Sequence, residues 1–179
     1  MSSERVTLRP LTADDETEFT DLVRASRRLH HPWMALPDTL EAFHNYFDRF
    51  DGTTNVGLVV CRKDTGEIAG NININSIVRG RAQSGSVGYA AFAPAAGQGY
   101  LTEGLRLAIR FAFDVLLLHR LEAAIQPENE RSLLLIKRVG FVKEGYSPSM
   151  LFIDGQWRDH ERWALISDRR TPHPSLPGR

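Results

Sequence analysis

Three groups of residues in this chain have types and spacings that could do chemistry. In the first, Gly97-Gln98-Gly99-Tyr100 follows an alternating segment (Val87, Tyr89, Ala91). It precedes a run in which Leu101, Leu105, Ala108, Ile109, Ala112 and Leu116 recur at steps of three and four. The pattern is a strand entering a glycine turn that opens a helix. The first amides of a helix lack internal acceptors and lie at the positive end of its dipole, and glycine lets backbone approach a ligand closely. That chemistry suits a phosphate. The spacing is not the dinucleotide fingerprint, because Thr102 stands at its third glycine, and no Gly-Lys-Ser/Thr of a P-loop occurs.

The second group is Asn129 with Ser132, opening a helical pattern of Leu133, Ile136 and Val139 that Gly140 closes. An asparagine there suits a cap, and a first-turn serine is ordinarily no more than one. The third is a strand with Ile68, Ile72 and Ile74 on one parity and Asn71, Asn73 and Asn75 on the other. Its asparagine face either meets solvent or lines a polar cleft. His30-His31 invites a metal, but adjacent residues seldom ligate one ion and no second cluster accompanies them, so no metal is expected.

These groups need elements to hold them. Residues 5–9 alternate as a first strand, and Thr12 precedes an acidic first turn and a helix with Phe19, Leu22 and Val23 inward. The pattern breaks at residues 30–33. A second helix starts near Asp38-Thr39, with Leu40, Phe43, Tyr46, Phe47 and Phe50 on one face. Residues 56–61 form a strand, 63–66 a hairpin turn, and 84–92 the strand feeding the glycine turn. Strands are expected at 119–126, 141–145, 150–153 and 157–166, with Asp154-Gly155 as a hairpin turn. The segment 84–126 is a parallel crossover, or two strands diverging around a ligand. The early strands, joined by tight turns, are antiparallel, so the fold class is α+β with a mixed, mostly antiparallel sheet and flanking helices.

Composition narrows the function classes. The 179 residues suit one domain, and 22 basic residues balance 22 acidic ones, which argues against nucleic acid as the main ligand. The lone Cys61 fits a reducing compartment. With no targeting pattern and no long apolar run, the chain is expected to be cytoplasmic and free of membranes. Residues 1–166 are expected to form the domain and 167–179, rich in proline, a disordered tail.

The arrangement Ala96-Gly97-Gln98-Gly99-Tyr100-Leu101 resembles the pyrophosphate arm of the GNAT (GCN5-related N-acetyltransferase) superfamily, Gln/Arg-x-x-Gly-x-Gly/Ala. Ala96 replaces its Gln/Arg and Leu101 its small residue. Asn129-Glu130-Arg131-Ser132 with Gly140-Phe141 matches the N-x-x-S … G-F pattern of the RimJ/RimL-type branch, which acetylates ribosomal proteins. Residues 144–146 and 153–160 are very similar to its RimJ subgroup. The resemblance implies a single GNAT-like domain whose middle strands, 84–93 and 119–126, splay around acetyl-CoA. It implies pantetheine contacts at Ala91, Phe92 and Ala93. Pyrophosphate would lie on Gly97, Gln98, Gly99, Tyr100, Leu101 and Thr102. Asn129 would hold pantetheine, and Ser132 would be the partner of the thiolate. Many members carry a general-acid tyrosine four residues after that serine; here the position is Ile136. Asn129 and Ser132 are thus the catalytic candidates, and His31, Trp33, Asn73, Asn75 and Tyr89 the candidates for lining the acceptor cleft.

No glutamate or histidine in the matching segments stands out as a base, which leans toward an acceptor that needs little help. A terminal amine, with a reference pKa of about 7.7–8.0, is roughly one-fifth to one-tenth neutral near neutral pH, whereas a lysine at about 10.4 is below about one in a thousand. The expected activity is transfer of acetyl to a primary amine, foremost the N-terminal alanine of a ribosomal protein. The alternatives are a polyamine or drug acceptor, or a non-catalytic CoA-binding sensor or ribosome-assembly factor. The chain is expected to act as a monomer or a homodimer.

Overall fold

The computed structural model describes residues 1–168. The expected tail therefore lies, for residues 169–179, outside the described part. Ser167 is buried, and its amide donates to the His119 carbonyl at 2.8 Å, so ordered packing runs at least that far.

The chain runs β1 (Val6–Pro10), α1 (Glu16–Ala25), α2 (Arg27–His30), α3 (Leu40–Phe47), β2 (Val56–Arg62), β3 (Ile68–Val78) and β4 (Ser84–Ala91). It continues through α4 (Tyr100–Asp114), β5 (Arg120–Ile125), α5 (Glu130–Arg138), β6 (Val142–Ile153) and β7 (Gln156–Ile166). Seven strands form one sheet in the order β1-β2-β3-β4-β5-β7-β6. Every pairing is antiparallel except that of β4 with β5, which is parallel and covers only Ser84–Ser86 against Arg120–Glu122. Both expectations for this segment thus hold together: the strands cross over in parallel, then part. No helix among the described residues is long and apolar enough to cross a membrane.

Strand alternation sorts the core onto two faces. Leu58 and Val60 of β2 pack with Leu105 and Ala108 of α4, while Val59 and Cys61 pack with Phe19 of α1 and Phe43 of α3. Thr39 caps α3 by accepting the Ala42 amide at 3.2 Å, and the buried stripe starts at Phe43, leaving Leu40 in the first turn 49 % exposed.

Three readings change. A register shift at Val60/Cys61 puts Ile68 with the α1–α3 cluster, while Ile72 and Ile74 stay on the α4 side, so equal parity did not mean one face. The segments at 141–145 and 150–153 join into one irregular edge strand, β6, in which Pro148 is tolerated because an edge needs no donor there. The first helix, expected to break only at residues 30–33, ends at Ala25, and the short helix α2 follows it before the cis His31–Pro32 bond.

Candidate active site

The gap between β4 and β5 opens where their pairing stops, and its walls can be traced atom by atom. The Phe92 amide donates to the Ala69 carbonyl at 3.0 Å, so the ladder from Gly88 to Phe92 directs even-numbered backbone groups toward β3. Those of Tyr89 and Ala91 face the opposite way, toward the gap that β5 has left. The Ala91 carbonyl is already taken by His30 Nε2 at 2.8 Å, and the Ala93 amide by Ser26 Oγ at 2.8 Å. The groups left for a ligand are thus the Tyr89 N–H and C=O and the Ala91 N–H. Of the three residues expected to hold pantetheine, only Ala91 keeps an amide free for it.

At the end of β4 the chain makes a short turn and enters α4 through Gly97 (φ 78°) and Gly99 (φ 86°), both left-handed. The first helical closure is Glu103 N–H to the Gly99 carbonyl at 3.1 Å, which leaves the amides of Tyr100, Leu101 and Thr102 ahead of it without an intrahelical acceptor. Leu101 does not obstruct this end. Its side chain turns inward to the sheet, toward Gly70, where a Cβ would come within 3.2 Å of Leu101 Cδ1. The turn is braced from β1's approach: Arg5 Nη1 donates to the Gln98 carbonyl at 3.1 Å and Arg5 Nε to Glu103 Oε1 at 2.6 Å. Burial alone would raise the Glu103 carboxyl, but hydrogen bonds from Ser3 and Arg5 outweigh it and hold it below its ordinary value, so it braces the turn as an anion.

Across the gap, Asn129 Oδ1 accepts the Ser132 amide at 3.2 Å and caps α5. The cap is therefore the asparagine, and the Ser132 hydroxyl goes elsewhere: its Oγ lies 2.8 Å from the Tyr89 hydroxyl. Ile136 is fully buried in the core below. The structure thus brings together Tyr89, Ala91, Asn129, Ser132 and, along β4, the α4 amides.

The other candidates part company with them. Asn71 and Asn73 donate from Nδ2 to the Tyr46 hydroxyl at 3.0 and 2.6 Å, on the α3 side of the sheet, opposite Tyr89. Their face is covered, and the Oδ1 atoms of Asn71 and Asn75 are buried without a partner. His31 reaches Asp154 on the β6–β7 turn at 3.3 Å, and the Trp33 carbonyl accepts from Gln126 Nε2 at 3.2 Å. His31 lines a cavity of about 560 Å³ together with Arg27, Arg28, His30, Asp38 and Asp154.

The sequence offers His30 only as half of the His30-His31 pair, because nothing local marks a histidine that finds its partner 61 residues away. Burial pushes its pKa down, with the Ala91 carbonyl pulling weakly the other way. The folded state therefore binds that proton less readily than the unfolded chain. The stabilisation is complete above the ordinary histidine value of about 6.5 and is lost as pH falls through the lowered folded value. The expected result is a melting temperature that drops between about pH 7 and about pH 5, with a shallower drop in His30→Gln, whose amide can still donate to Ala91. Parallel profiles would contradict it.

A gap flanked by free backbone groups, with unpaired helix amides at one end and a hydroxyl pair at the other, fits a long ligand carrying a phosphate and a reactive terminus. Comparison with known proteins agrees. Residues 5–142 match the Acetyltransferase (GNAT) domain family. The "[Ribosomal protein uS5]-alanine N-acetyltransferase" of Escherichia coli K12 is 31 % identical over 191 residues, covering 96 % of this chain and 93 % of that one. The spermidine N(1)-acetyltransferase of the same organism is 30 % identical over 82 residues, 46 % of this chain and 44 % of its own. The solved structure of Mycobacterium smegmatis RimJ in complex with CoA-disulfide superimposes with a TM-score of 0.84 at 24 % identity, covering 94 % of this chain and 85 % of that one. The chain belongs to the GNAT acetyltransferase family and is an N-acetyltransferase.

Proposed function

We propose that this enzyme transfers the acetyl group of acetyl-CoA to the α-amine of a protein terminus, foremost the N-terminal alanine of a ribosomal protein in the cytoplasm. The observation that carries the reading is the open β4–β5 gap ending at Ser132, joined through His30, which holds the Ala91 carbonyl, to a cavity whose charges do not suit a polycation. Of its two carboxylates, Asp38 is paired with Arg27 at 2.5 Å and Asp154 lies 3.3 Å from His31 Nε2, a contact that is ionic only when the histidine is protonated, while Arg28 adds a positive charge with no ion-pair partner among the described residues. A polyamine needs unpaired carboxylates where its second and third charges fall. A terminus with one amine and a following peptide does not. The whole-length likeness to the uS5-alanine enzyme of E. coli supports the same acceptor.

In this reading the amides of Tyr100, Leu101 and Thr102 hold the pyrophosphate, Gly97 and Gly99 letting the backbone come close. Tyr89 and Ala91 pair their free backbone groups with the pantetheine amides, as a β-strand would, and the Asn129 side-chain amide adds a donor. Acetyl-CoA supplies an activated acetyl thioester, the amine nitrogen taking the acetyl group while the C–S electron pair stays on sulfur and the amine's proton restores balance. Ser132 Oγ–H donates a hydrogen bond to the sulfur as charge gathers there. The acceptor's proton leaves through water. The gap of about 2.5 units between terminal amine and lysine, roughly 3.5 kcal/mol, explains why an α-amine can react without a dedicated base.

One observation favours a polyamine instead. Asp14, Glu18, Asp21 and Glu67 line a second cavity of about 560 Å³, beside Pro94 and Ala95, although Arg62, also in the lining, pairs with Glu67 at 3.3 Å and Asp21 pairs with Arg24. Rates of CoA release with an alanine-starting peptide and with spermidine decide between them. We expect kcat/KM to favour the peptide by about a hundredfold or more; a preference for spermidine would overturn the terminal-amine reading.

A further inference from the structure

Tyr89 and Ser132 lie 43 residues apart in sequence, on β4 and α5, yet the Tyr89 hydroxyl is within donating reach of two Ser132 acceptors, its Oγ at 2.8 Å and its carbonyl at 3.3 Å, the hydroxyl oxygen being the nearer. Helix capping is done by Asn129, so Ser132 Oγ is free of that duty. Ile136, one turn further along α5, is fully buried and carries no hydroxyl. Tyr89 instead sends its hydroxyl from the strand into the space next to Ser132, while its ring packs on the α4-side core.

We propose that Tyr89 is a positioning residue for acetyl transfer: its hydroxyl donates to Ser132 Oγ and so turns the Ser132 hydroxyl hydrogen toward the place where thiolate charge develops. The inference rests on the acetyl-transfer reading of the gap. A serine hydroxyl has one hydrogen and two acceptor sites, so left alone it can spend its hydrogen on a backbone carbonyl or on water. A phenol that occupies one acceptor site removes rotamers and polarises the O–H that remains. Burial pushes the Tyr89 phenol up to about 12, so it stays protonated, and a donor, throughout the working range. So weak an acid is poorly matched to surrender its proton to a thiolate, whose ordinary value is about 8.5. The pair therefore acts by hydrogen bonding, and the proton that sulfur finally takes comes from the acceptor amine through solvent. No co-reactant beyond acetyl-CoA and the amine is needed.

The test compares wild type, Tyr89→Phe, Ser132→Ala and the double variant. Tyr89→Phe keeps the ring and hence the packing, which an unchanged melting temperature verifies. The first readout needs no acceptor: the thiol of bound CoA is titrated by its ultraviolet thiolate absorbance, with desulfo-CoA as the blank. We expect it to ionise at lower pH in wild type than in either variant. The second readout is turnover. Tyr89→Phe is expected to lower kcat about tenfold with acetyl-CoA affinity within about twofold, and Ser132→Ala about a hundredfold. The double variant should be no worse than Ser132→Ala to within about twofold, because a phenol with no serine to orient has nothing left to lose. Tyr89→Phe that matches wild type in the thiol titration and in kcat would overturn the proposal, as would a double variant that loses the product of the two single effects. Failure of the acceptor reading looks different: no peptide-dependent release, with the thiol titrations of the variants still apart.

Discussion

Gly99→Val should weaken acetyl-CoA binding about a hundredfold or more while leaving a folded protein. Gly99 holds φ at 86°, a region that a β-branched side chain enters only with strain. A Cβ there would also lie 3.1 Å from Arg5 Nη2, the side chain that braces the turn through the Gln98 carbonyl and Glu103. Valine therefore must move the turn, and with it the amides of Tyr100, Leu101 and Thr102. Hydrogen bonds to a charged group contribute about 1.5–3 kcal/mol each, so misplacing two removes roughly 3–6 kcal/mol, or about a hundredfold and upward. The core is not touched, and the loss of stability should stay near the 1–3 kcal/mol of one strained residue. Gly66→Val is the matched control. Gly66 is equally left-handed at φ 81° in the β2–β3 turn, with nothing within 4 Å of its Cβ position, so it should share the stability loss and spare the binding. Calorimetric titration of both variants checks this, and undiminished affinity in folded Gly99→Val would remove the phosphate role from the turn.

Ser132→Ala should lower kcat about a hundredfold and leave acetyl-CoA affinity within several-fold. The separation of the two parameters follows from the geometry. The cap of α5 belongs to Asn129, and in the proposed reading acetyl-CoA is held by backbone groups of β4 and α4 and by the Asn129 side chain, none of which the substitution removes. What is lost is a donor needed chiefly when charge reaches sulfur, and an interaction made mainly in the transition state appears in kcat. A factor of a hundred is about 2.7 kcal/mol, within the range for removing one pre-oriented donor from a catalytic site. Unchanged turnover would end Ser132's catalytic role. A fall in affinity matching the fall in turnover would make it a binding residue only.

What the sequence disclosed was local chemistry. The left-handed glycines at 97 and 99, the helix they open, the Asn129 cap and the closing Gly140 are all written within a few neighbouring residues, and so is the Asp154-Gly155 turn. The family motifs sit on these same short stretches. Hidden from it were contacts between distant segments. Tyr89 was a cleft-lining candidate and Ser132 a thiolate partner, but no spacing rule joins a strand residue to one on a helix three elements later. The asparagine strand shows the same limit. Its alternation was plain, yet whether solvent or a helix covered the face depended on Tyr46 arriving from α3. Parity also misled where the ladder slips: Ile68 changed sides because one irregularity at Val60/Cys61 reverses every later assignment. The departures at Ala96 and Leu101 have surroundings that the sequence did not disclose. Arg5, just before β1, supports the turn, and the Leu101 side chain points into the sheet.

The central claim is that one continuous groove, from the α4 amides along β4 to Ser132, holds acetyl-CoA with its thioester at an amine-accepting end. The most direct measurement is calorimetric titration of the protein with acetyl-CoA, followed in the same sample by thiol release on adding an alanine-starting ribosomal peptide. Saturable binding at one site per chain, then release of CoA that depends on the peptide, is the predicted result. A chain that fails to bind acetyl-CoA would contradict the account at its base.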